Sequence, residues 1–273
     1  MLAKAKLGQN YLRDPLAVER IVAALGDVAG RTVIEIGPGQ GAITGLLAAR
    51  AAHVVAIELD HELALHLRAE YPPEKVTIAE QDVLKFDFAA AGAQFSAGEQ
   101  RLSLVGNLPY YITSPILTKL AASHAALDIA VLMVQREVAD RVTAQPGSRD
   151  YGALSVTVQA YGPVTQLFTL PPSAFSPPPE VHSTVFRWRF SPRFTELGVK
   201  EDSLLQFVRM AFAQKRKTLA NNLRAAGFAV SDIAPALEQA GIPAQARAET
   251  LSIESFAELS KILPSAAASA GMR

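Results

Sequence analysis

Three places in this chain end a strand-like apolar run with groups able to hold a nucleoside. The first is EIGPGQGAIT, where Glu35, Gly37, Pro38, Gly39 and Gly41 join an apolar run to a helical one. Glycines let the backbone approach a ligand closely, and the helix that follows aims its N-terminus at it. Gly37, Gly39 and Ala42 also satisfy a loose dinucleotide-binding pattern, so this turn alone does not choose its ligand. The second is Glu58, closing HVVAIELD with Asp60 two residues on. A carboxylate there can accept both hydroxyls of a ribose, or simply cap a helix. The third is Gln81-Asp82, where a side-chain oxygen can accept from the amino group of an adenine. Ligands of open α/β sheets sit outside such strand ends, so an adenosine-bearing cofactor explains all three together. A fourth strand-like run, LVGNLPYYITSPIL (104–117), breaks into Asn107, Pro109 and two tyrosines. Proline cannot donate to a sheet ladder, so the strand must stop near Asn107.

The elements that must position these groups are legible in outline. TVIEIG (32–37) and HVVAIELD (53–60) flank the helical AITGLLAARAA, giving a strand–helix–strand unit. VTIAEQD (76–82), LSLVGN (102–107) and DIAVLMVQ (128–135) are further strands, the last running into a helical REVADRVTAQ. The alternation predicts an α/β fold with a mostly parallel sheet and helices on both faces. VTVQAYGPVTQLFTL (156–170) is rich in β-branched residues, and STVFRWRF (183–190) alternates as a late antiparallel strand does. SPRFTELG (191–198) reads as a linker. Beyond it, DSLLQFVRMAFAQKRKTLANNLRAAG and DIAPALEQAG have helical spacing with glycine stops at Gly227 and Gly241. The expected organisation is a sheet domain over 1–192 and a small all-helical domain over 193–273, its last residues, 264–273, a frayed tail.

Composition narrows the function classes. Of 273 residues, 49% are hydrophobic, enough for a sizeable core. Lysine plus arginine (26) balances aspartate plus glutamate (26), which excludes a chain basic throughout but allows a local patch for phosphates. The absence of cysteine removes disulfides, thiolate metal sites and cysteine nucleophiles, and suits a cytoplasmic protein. MLAKAKLGQNYLRD lacks a signal peptide's apolar core, and no run approaches the ~20 apolar residues of a membrane span. No metal is expected, and nothing demands more than a monomer.

EIGPGQGAIT, IELD, AEQDVLKFD and NLPY, in this order, resemble the class I methyltransferases, with their Rossmann-like sheet and S-adenosyl-L-methionine as cofactor. The resemblance puts the glycine turn against the methionine part of the cofactor. It also gives Asn107 a task. An exocyclic amine on adenine is a poor nucleophile, because its lone pair is delocalised into the ring. Acceptors aimed at its two N–H bonds hold that lone pair toward a methyl electrophile and favour pyramidal nitrogen in the transition state. The Asn107 side-chain oxygen and the Leu108 carbonyl are candidates, Pro109 stiffens the turn, and Tyr110 is a platform on which the base stacks. The alternative is that Asn107 merely caps a helix starting at Pro109.

The likeness extends along the chain. LGQNYL (7–12), GNLPYYITSPIL, LMVQREVADR (132–141), YGALSV (151–156), FSPPPEV and FAQKRKTLANNL (212–223) together resemble the bacterial small-subunit rRNA adenine N6-dimethyltransferases. That family implies two methyls on each of two adjacent adenosines near the 3′ end of 16S rRNA, within a nearly mature 30S small ribosomal subunit. By position it makes Asn10, Leu12, Gly37, Glu58, Asp82 and Asn107 cofactor contacts, with Gly39 in the same turn. It places Phe175, on the proline-rich loop SAFSPPPEVHS, over the second face of a flipped-out adenine. Tyr11 stands where phenylalanine is usual. Glu180 and His182 stand where Lys and Asp are common, which removes a positive charge near the RNA entry. Lys215, Arg216, Lys217 and Arg224 in the helical part, with Lys4, Lys6 and Arg13 in the N-terminal arm, are the candidate phosphate contacts.

Three other readings compete. One is a large-subunit rRNA adenine methyltransferase of the antibiotic-resistance type, against which YGALSV and FAQKRKTLANNL weigh by resemblance. Another is an NAD-dependent oxidoreductase, which needs a proton relay that His53, His61, His66, His124 and His182 do not assemble in sequence. The last is a non-catalytic assembly or transcription factor on the same fold, which the intact EIGPG and NLPY disfavour.

Overall fold

A computed structural model describes residues 10–95 and 101–263. The chain forms two compact units, Met1–Ala139 with Pro163–Ser191, and Asp140–Gly162 with Pro192–Arg273. In the first, β1 (Tyr11–Leu12) pairs antiparallel with β8 (Phe175–Ser176) as a separate short ribbon. The other strands are β2 (Thr32–Ile36), β3 (His53–Glu58), β4 (Val76–Glu80), β5 (Leu102–Asn107), β6 (Leu127–Gln135), β7 (Val164–Leu170) and β9 (Ser183–Arg189). They build one sheet in the order β4-β3-β2-β5-β6-β9-β7. Every pair from β4 to β6 is parallel, and β9 runs antiparallel to both its neighbours. The expected parallel sheet with one antiparallel strand is therefore the one that forms.

The central strands β2, β3, β5 and β6 read as apolar runs because both their faces are covered, whereas the edge strands β4 and β7 are only partly buried. All of β2 is buried. Val33, Val54, Ala56, Val76, Val105 and Val131 pack with Val18, Ile21 and Val22 of the helix Pro15–Ala23 and Leu47 of the helix Thr44–Arg50. The strand order has one decisive consequence. From β2 the chain builds outward to β3 and β4, then returns to place β5 on the other side of β2. The crevice opens where the order reverses, outside the carboxyl ends of β2 and β5. Those ends carry the glycine turn and Asn107.

The second unit is helical, with Ala153–Ala160, Phe194–Leu197, Glu201–Ala211, Leu219–Ala225, Val230–Gln239 and Ile253–Ile262. Three expectations need correction here. Residues 140–162 belong to this unit, not to the sheet unit. Gln159 Nε2 donates to the carbonyls of Val142 and Ala144 (2.9 Å each), and Tyr161 donates to Glu201 (2.6 Å). Val156 and Val158 are buried on the helix Ala153–Ala160, so burial overrides their β-propensity. SPRFTELG contains a short helix, Phe194–Leu197, stopped by Gly198 in the left-handed region (φ 65°). The basic run 215–217 lies in a turn between Glu201–Ala211 and Leu219–Ala225, not on one long helix. The buried Asn222 amide makes that turn by donating to the carbonyls of Ala211 (2.6 Å) and Gln214 (3.2 Å), and Thr218 caps the new helix. Lys4, Lys6 and the tail 264–273 lie outside the described residues.

Candidate active site

One cleft of about 170 Å³ gathers Asn10, Leu12, Gly37, Gly39, Glu58, Asn107, Leu108, Pro109 and Tyr110. A smaller one beside it is lined by Asp82, Gln81, Gly37, Glu58 and Pro109, so the three candidate cofactor strand ends are contiguous. A third, of about 330 Å³, opens between Tyr110, Tyr111, Gln135, Pro178, Pro179 and Glu180. Asn10 and Tyr110 line both the first and the third. The candidate cofactor cleft and the cleft lined by the proline loop thus meet at the NLPY turn.

Close backbone approach makes this meeting possible. Gly106 pairs with Ile36 in parallel register, and a Cβ there would stand 3.0 Å from both the Cβ and the carbonyl oxygen of Ile36. Gly39 holds φ 57°, and a Cβ on it would stand 2.9 Å from the Tyr11 ring. The arm Tyr11–Arg13 lies against this turn, with Arg13 donating to Gln40 (2.6 Å) and, through its backbone, to Ala174 (2.8 Å).

Asn107 does not cap a helix. The turn Tyr110–Ile112 and the helix Thr113–Ala122 have Pro109 and Ile112 at their caps, neither with a side-chain cap bond. Instead Asn107 Nδ2 donates to the Asn10 carbonyl (2.9 Å), which orients the amide at the wall of the main cleft. Leu108 N–H donates to Met133 (3.0 Å), and Thr113 Oγ1 donates to the carbonyls of Pro109 (3.1 Å) and Tyr110 (3.3 Å), so the turn is tied at three points. Tyr110 shares a 2.6 Å hydroxyl hydrogen bond with Ser183 on β9. Burial raises the pKa of this phenol, against the Ser183 bond, so the ring presents a neutral face. Ser183 is buried, and no local motif distinguishes it; only the antiparallel strand brings it here. A base stacked on this ring, as the resemblance implies, makes the expected cost of Tyr110→Ala about 1–3 kcal/mol of substrate binding. Ser183→Ala is expected to loosen the ring, with a smaller rise in KM; equal KM values for both variants and the parent would exclude a platform.

Glu58 is buried and nearly saturated. Oε1 accepts from Leu59 N–H (2.8 Å) and Asp60 N–H (2.9 Å), and Oε2 from Gly39 N–H (3.1 Å). A carboxylate offers about four acceptor positions, so one is left for a ribose hydroxyl, where two were expected. A second hydroxyl must displace or share the Gly39 bond. Asp60 is the helix cap, accepting from Glu62 and Leu63. Asp82 caps the turn Val83–Lys85 through Oδ1 and lines the smaller cleft.

Glu35 was visible in the motif but had no assigned role. It is 1% exposed, lines the main cleft and accepts from Thr44 Oγ1 (2.7 Å). Burial pushes its pKa up to about 7, the Thr44 bond opposing and the Glu58 charge adding to the rise. A carboxyl raised above its unfolded value holds its proton better in the native state. Its stabilising contribution is therefore complete below about pH 4.5 and is lost as pH rises to about 7. Glu35→Gln is expected to remove this loss, with a gain over the parent that grows to the order of 3 kcal/mol by about pH 8. Urea midpoints across that range test it, and a constant difference would refute it.

The same geometry disfavours a pyrophosphate. Gly37, Gly39 and Gly41 turn their N–H groups inward, to Ile57, Glu58 and Pro38, and two carboxyl groups line the cleft. Arg13 lines the same cleft, so its charge is mixed, and it is the spent glycine N–H groups that leave a pyrophosphate poorly held. None of the five histidines lines any of the three clefts.

Phe175 is not on an exposed loop. It sits on β8 opposite Leu12, is 4% exposed and packs in the sheet core. Strand alternation turns Ser176 outward and Phe175 inward. The residues that the proline loop does present to the substrate-side cleft are Pro178, Pro179, Glu180 and Val181. Lys215, Arg216, Lys217 and Arg224 are exposed in the second unit.

Among the described residues no helix is long and apolar enough to cross a membrane, and no cluster of acidic, histidine or cysteine residues could hold a metal ion. The chain is 55% identical over 261 residues to ribosomal RNA small subunit methyltransferase A of Acidobacterium capsulatum, covering 95% of this chain and 91% of that one. Its fold matches a dimethyladenosine transferase from Plasmodium falciparum (TM-score 0.75, 24% identity, 91% and 95% coverage). It also matches the 23S rRNA methyltransferase ErmE (TM-score 0.70, 24% identity, 93% and 99% coverage). The model of the ribosomal RNA adenine dimethylases matches residues 1–265, nearly the whole chain, and the protein belongs to that family.

Proposed function

We propose that this enzyme transfers methyl groups from S-adenosyl-L-methionine to the N6 amino groups of two adjacent adenosines near the 3′ end of 16S rRNA, in a late 30S small ribosomal subunit. The observation that carries the reading is the Asn107 amide, oriented by the Asn10 carbonyl at the junction of the two clefts. The 55% identity to a protein named for the small subunit favours that substrate over a large-subunit adenine.

The cleft, with Glu58 and the backbone of the glycine turn in its wall, fits the cofactor. When bound, the cofactor supplies a methyl group made electrophilic by its sulfonium. Glu58 has one acceptor position for a ribose hydroxyl, and Asp82 Oδ2 accepts from the adenine amino group. Leu12 and the glycines at 37 and 39 form apolar and backbone walls. On the substrate side, the Asn107 oxygen and the Leu108 carbonyl accept from the two N–H bonds of the target amine, so its lone pair faces the methyl. Charge develops on nitrogen as the bond forms, and both acceptors strengthen with it. No side chain has to remove the proton beforehand. Tyr110 supports one face of the base. The exposed turn Lys215–Lys217 and Arg224, with Lys4 and Lys6, supply phosphate contacts whose binding weakens as salt rises. The enzyme acts in the cytoplasm as a monomer, without a metal.

Methyl transfer from labelled cofactor to unmethylated small subunits, large subunits and naked rRNA, with mapping of the modified bases, tests this. Two adjacent dimethylated adenosines near the 16S 3′ end are expected, and label confined to large subunits would overturn it.

A further inference from the structure

Three arginines converge on a single carboxylate at the end of the sheet opposite the clefts. Asp128 Oδ2 pairs with Arg31 (2.7 Å), and its Oδ1 with Arg101 and Arg189 (3.4 Å each). Topology explains the meeting. Arg31 immediately precedes β2, Arg101 immediately precedes β5, and Asp128 is the second residue of β6. Arg189 ends β9, which runs antiparallel and so finishes where the others begin. The six-residue β5 places this end about 20 Å from the NLPY turn.

One carboxylate cannot neutralise three guanidinium groups, and among the described residues the cluster keeps a surplus of two positive charges. Nor can it use their donors. Each guanidinium has five N–H bonds, and beyond Asp128 the group has, among the described residues, one further bond, from Arg101 to the Phe190 carbonyl (3.1 Å). Asp128 is 17% exposed whereas Arg31, Arg101 and Arg189 are 37%, 40% and 56% exposed. The anion is inside and the donors point out. On the same side of β9, two residues back, Arg187 is exposed as well, while Phe186, Trp188 and Phe190, which alternate with the two arginines, are buried. Arg187 makes no ion pair with any described residue, so it extends the surplus along the strand.

Gathering like charges is unfavourable unless an anion completes the group, and planar guanidinium forks match phosphate oxygens. We propose that Arg31, Arg101, Arg187 and Arg189, aligned by Asp128, bind backbone phosphates of the RNA substrate at the amino end of the sheet, as an anchor separate from the catalytic clefts. RNA is the favoured source because the family acts on it, and the inference to that extent rests on the function proposed above.

The experiment compares the parent with Arg187→Gln/Arg189→Gln, which leaves Arg31 and Arg101 on Asp128 so that its charge stays paired. Binding to unmethylated small subunits is measured across a salt series, with thermal midpoint and S-adenosylmethionine affinity as controls. The slope of log K against log salt is expected to fall by about 1.4–1.8 for two lost phosphate contacts, with both controls unchanged. Arg187→Lys/Arg189→Lys is expected to keep most of the slope. An unchanged slope in the glutamine variant overturns the anchor, as does a slope change that only follows a lowered midpoint. Inorganic phosphate at matched ionic strength is the third arm. If it raises the parent's midpoint but not the glutamine variant's while both bind particles alike, the site takes small anions and the RNA assignment falls. Methylation by the parent on the same particles separates the two readings. Binding without methylation refutes the proposed function and leaves the slope comparison intact, whereas methylation with equal slopes refutes only the anchor.

Discussion

Replacing Asn107 by alanine is expected to lower kcat for methyl transfer about 10²–10³-fold, the usual loss for one preorganised group aimed at developing charge. The side chain does two jobs. In the function proposed above its oxygen is one of the two acceptors for the target amine, and its Nδ2 donates to the Asn10 carbonyl. Alanine removes both, yet it costs the cofactor side only about one neutral hydrogen bond, roughly 1 kcal/mol. The signature is therefore a collapse in kcat with cofactor affinity, measured by calorimetry, changed less than about tenfold. Asn107→Asp separates the jobs. An aspartate keeps the acceptor oxygen but sets a carboxylate against the Asn10 carbonyl, so the group turns away from the position the amide holds. It is expected to fall close to the alanine variant, although it is isosteric and a stronger acceptor. Full turnover by Asn107→Ala on authentic small subunits would mean that lone-pair orientation is not what the site supplies.

Phe175→Ala is expected to destabilise the sheet unit by about 3–5 kcal/mol, the range for deleting a buried phenylalanine. The ring is 4% exposed and packs with Leu12, Leu170 and Val185, and its strand forms half of the ribbon that holds Tyr11 and Leu12 against the glycine turn. Loss of the ring should therefore lower the first urea transition and weaken cofactor binding together. A platform for the target base behaves otherwise. It leaves the urea transition and cofactor affinity in place and costs only methyl transfer, and that outcome would restore the stacking role the motif suggests.

Where the chain speaks locally, it speaks reliably. The five parallel strands were legible within a residue or two, because strands covered on both faces need unbroken apolar runs and end abruptly at polar residues or glycine. The change to helical spacing after residue 192 was equally plain. Residues 140–162 misled for the converse reason: β-branched side chains fit a buried helix face as well as a strand, and only the neighbours decide. The basic run 215–217 looked helical until the Asn222 amide, a buried group with no local signature, took the two carbonyls that a continuing helix would have used.

The residue types able to recognise an adenosine and to orient an aryl amine, and their positions at strand ends, follow from the amino-acid order alone, since glycine, proline and carboxylate restrict backbone and hydrogen bonding wherever they stand. Which of them meet is another matter. β2 and β5 are neighbours only because the strand order reverses there, the Asn10 carbonyl reaches Asn107 across 97 positions, and Ser183 reaches Tyr110 across 73. Burial of Phe175, the filled valences of Glu58 and the arginines around Asp128 belong to the same class. Each depends on distances between segments remote in the chain, and these are set by packing, not by any residue's own preference.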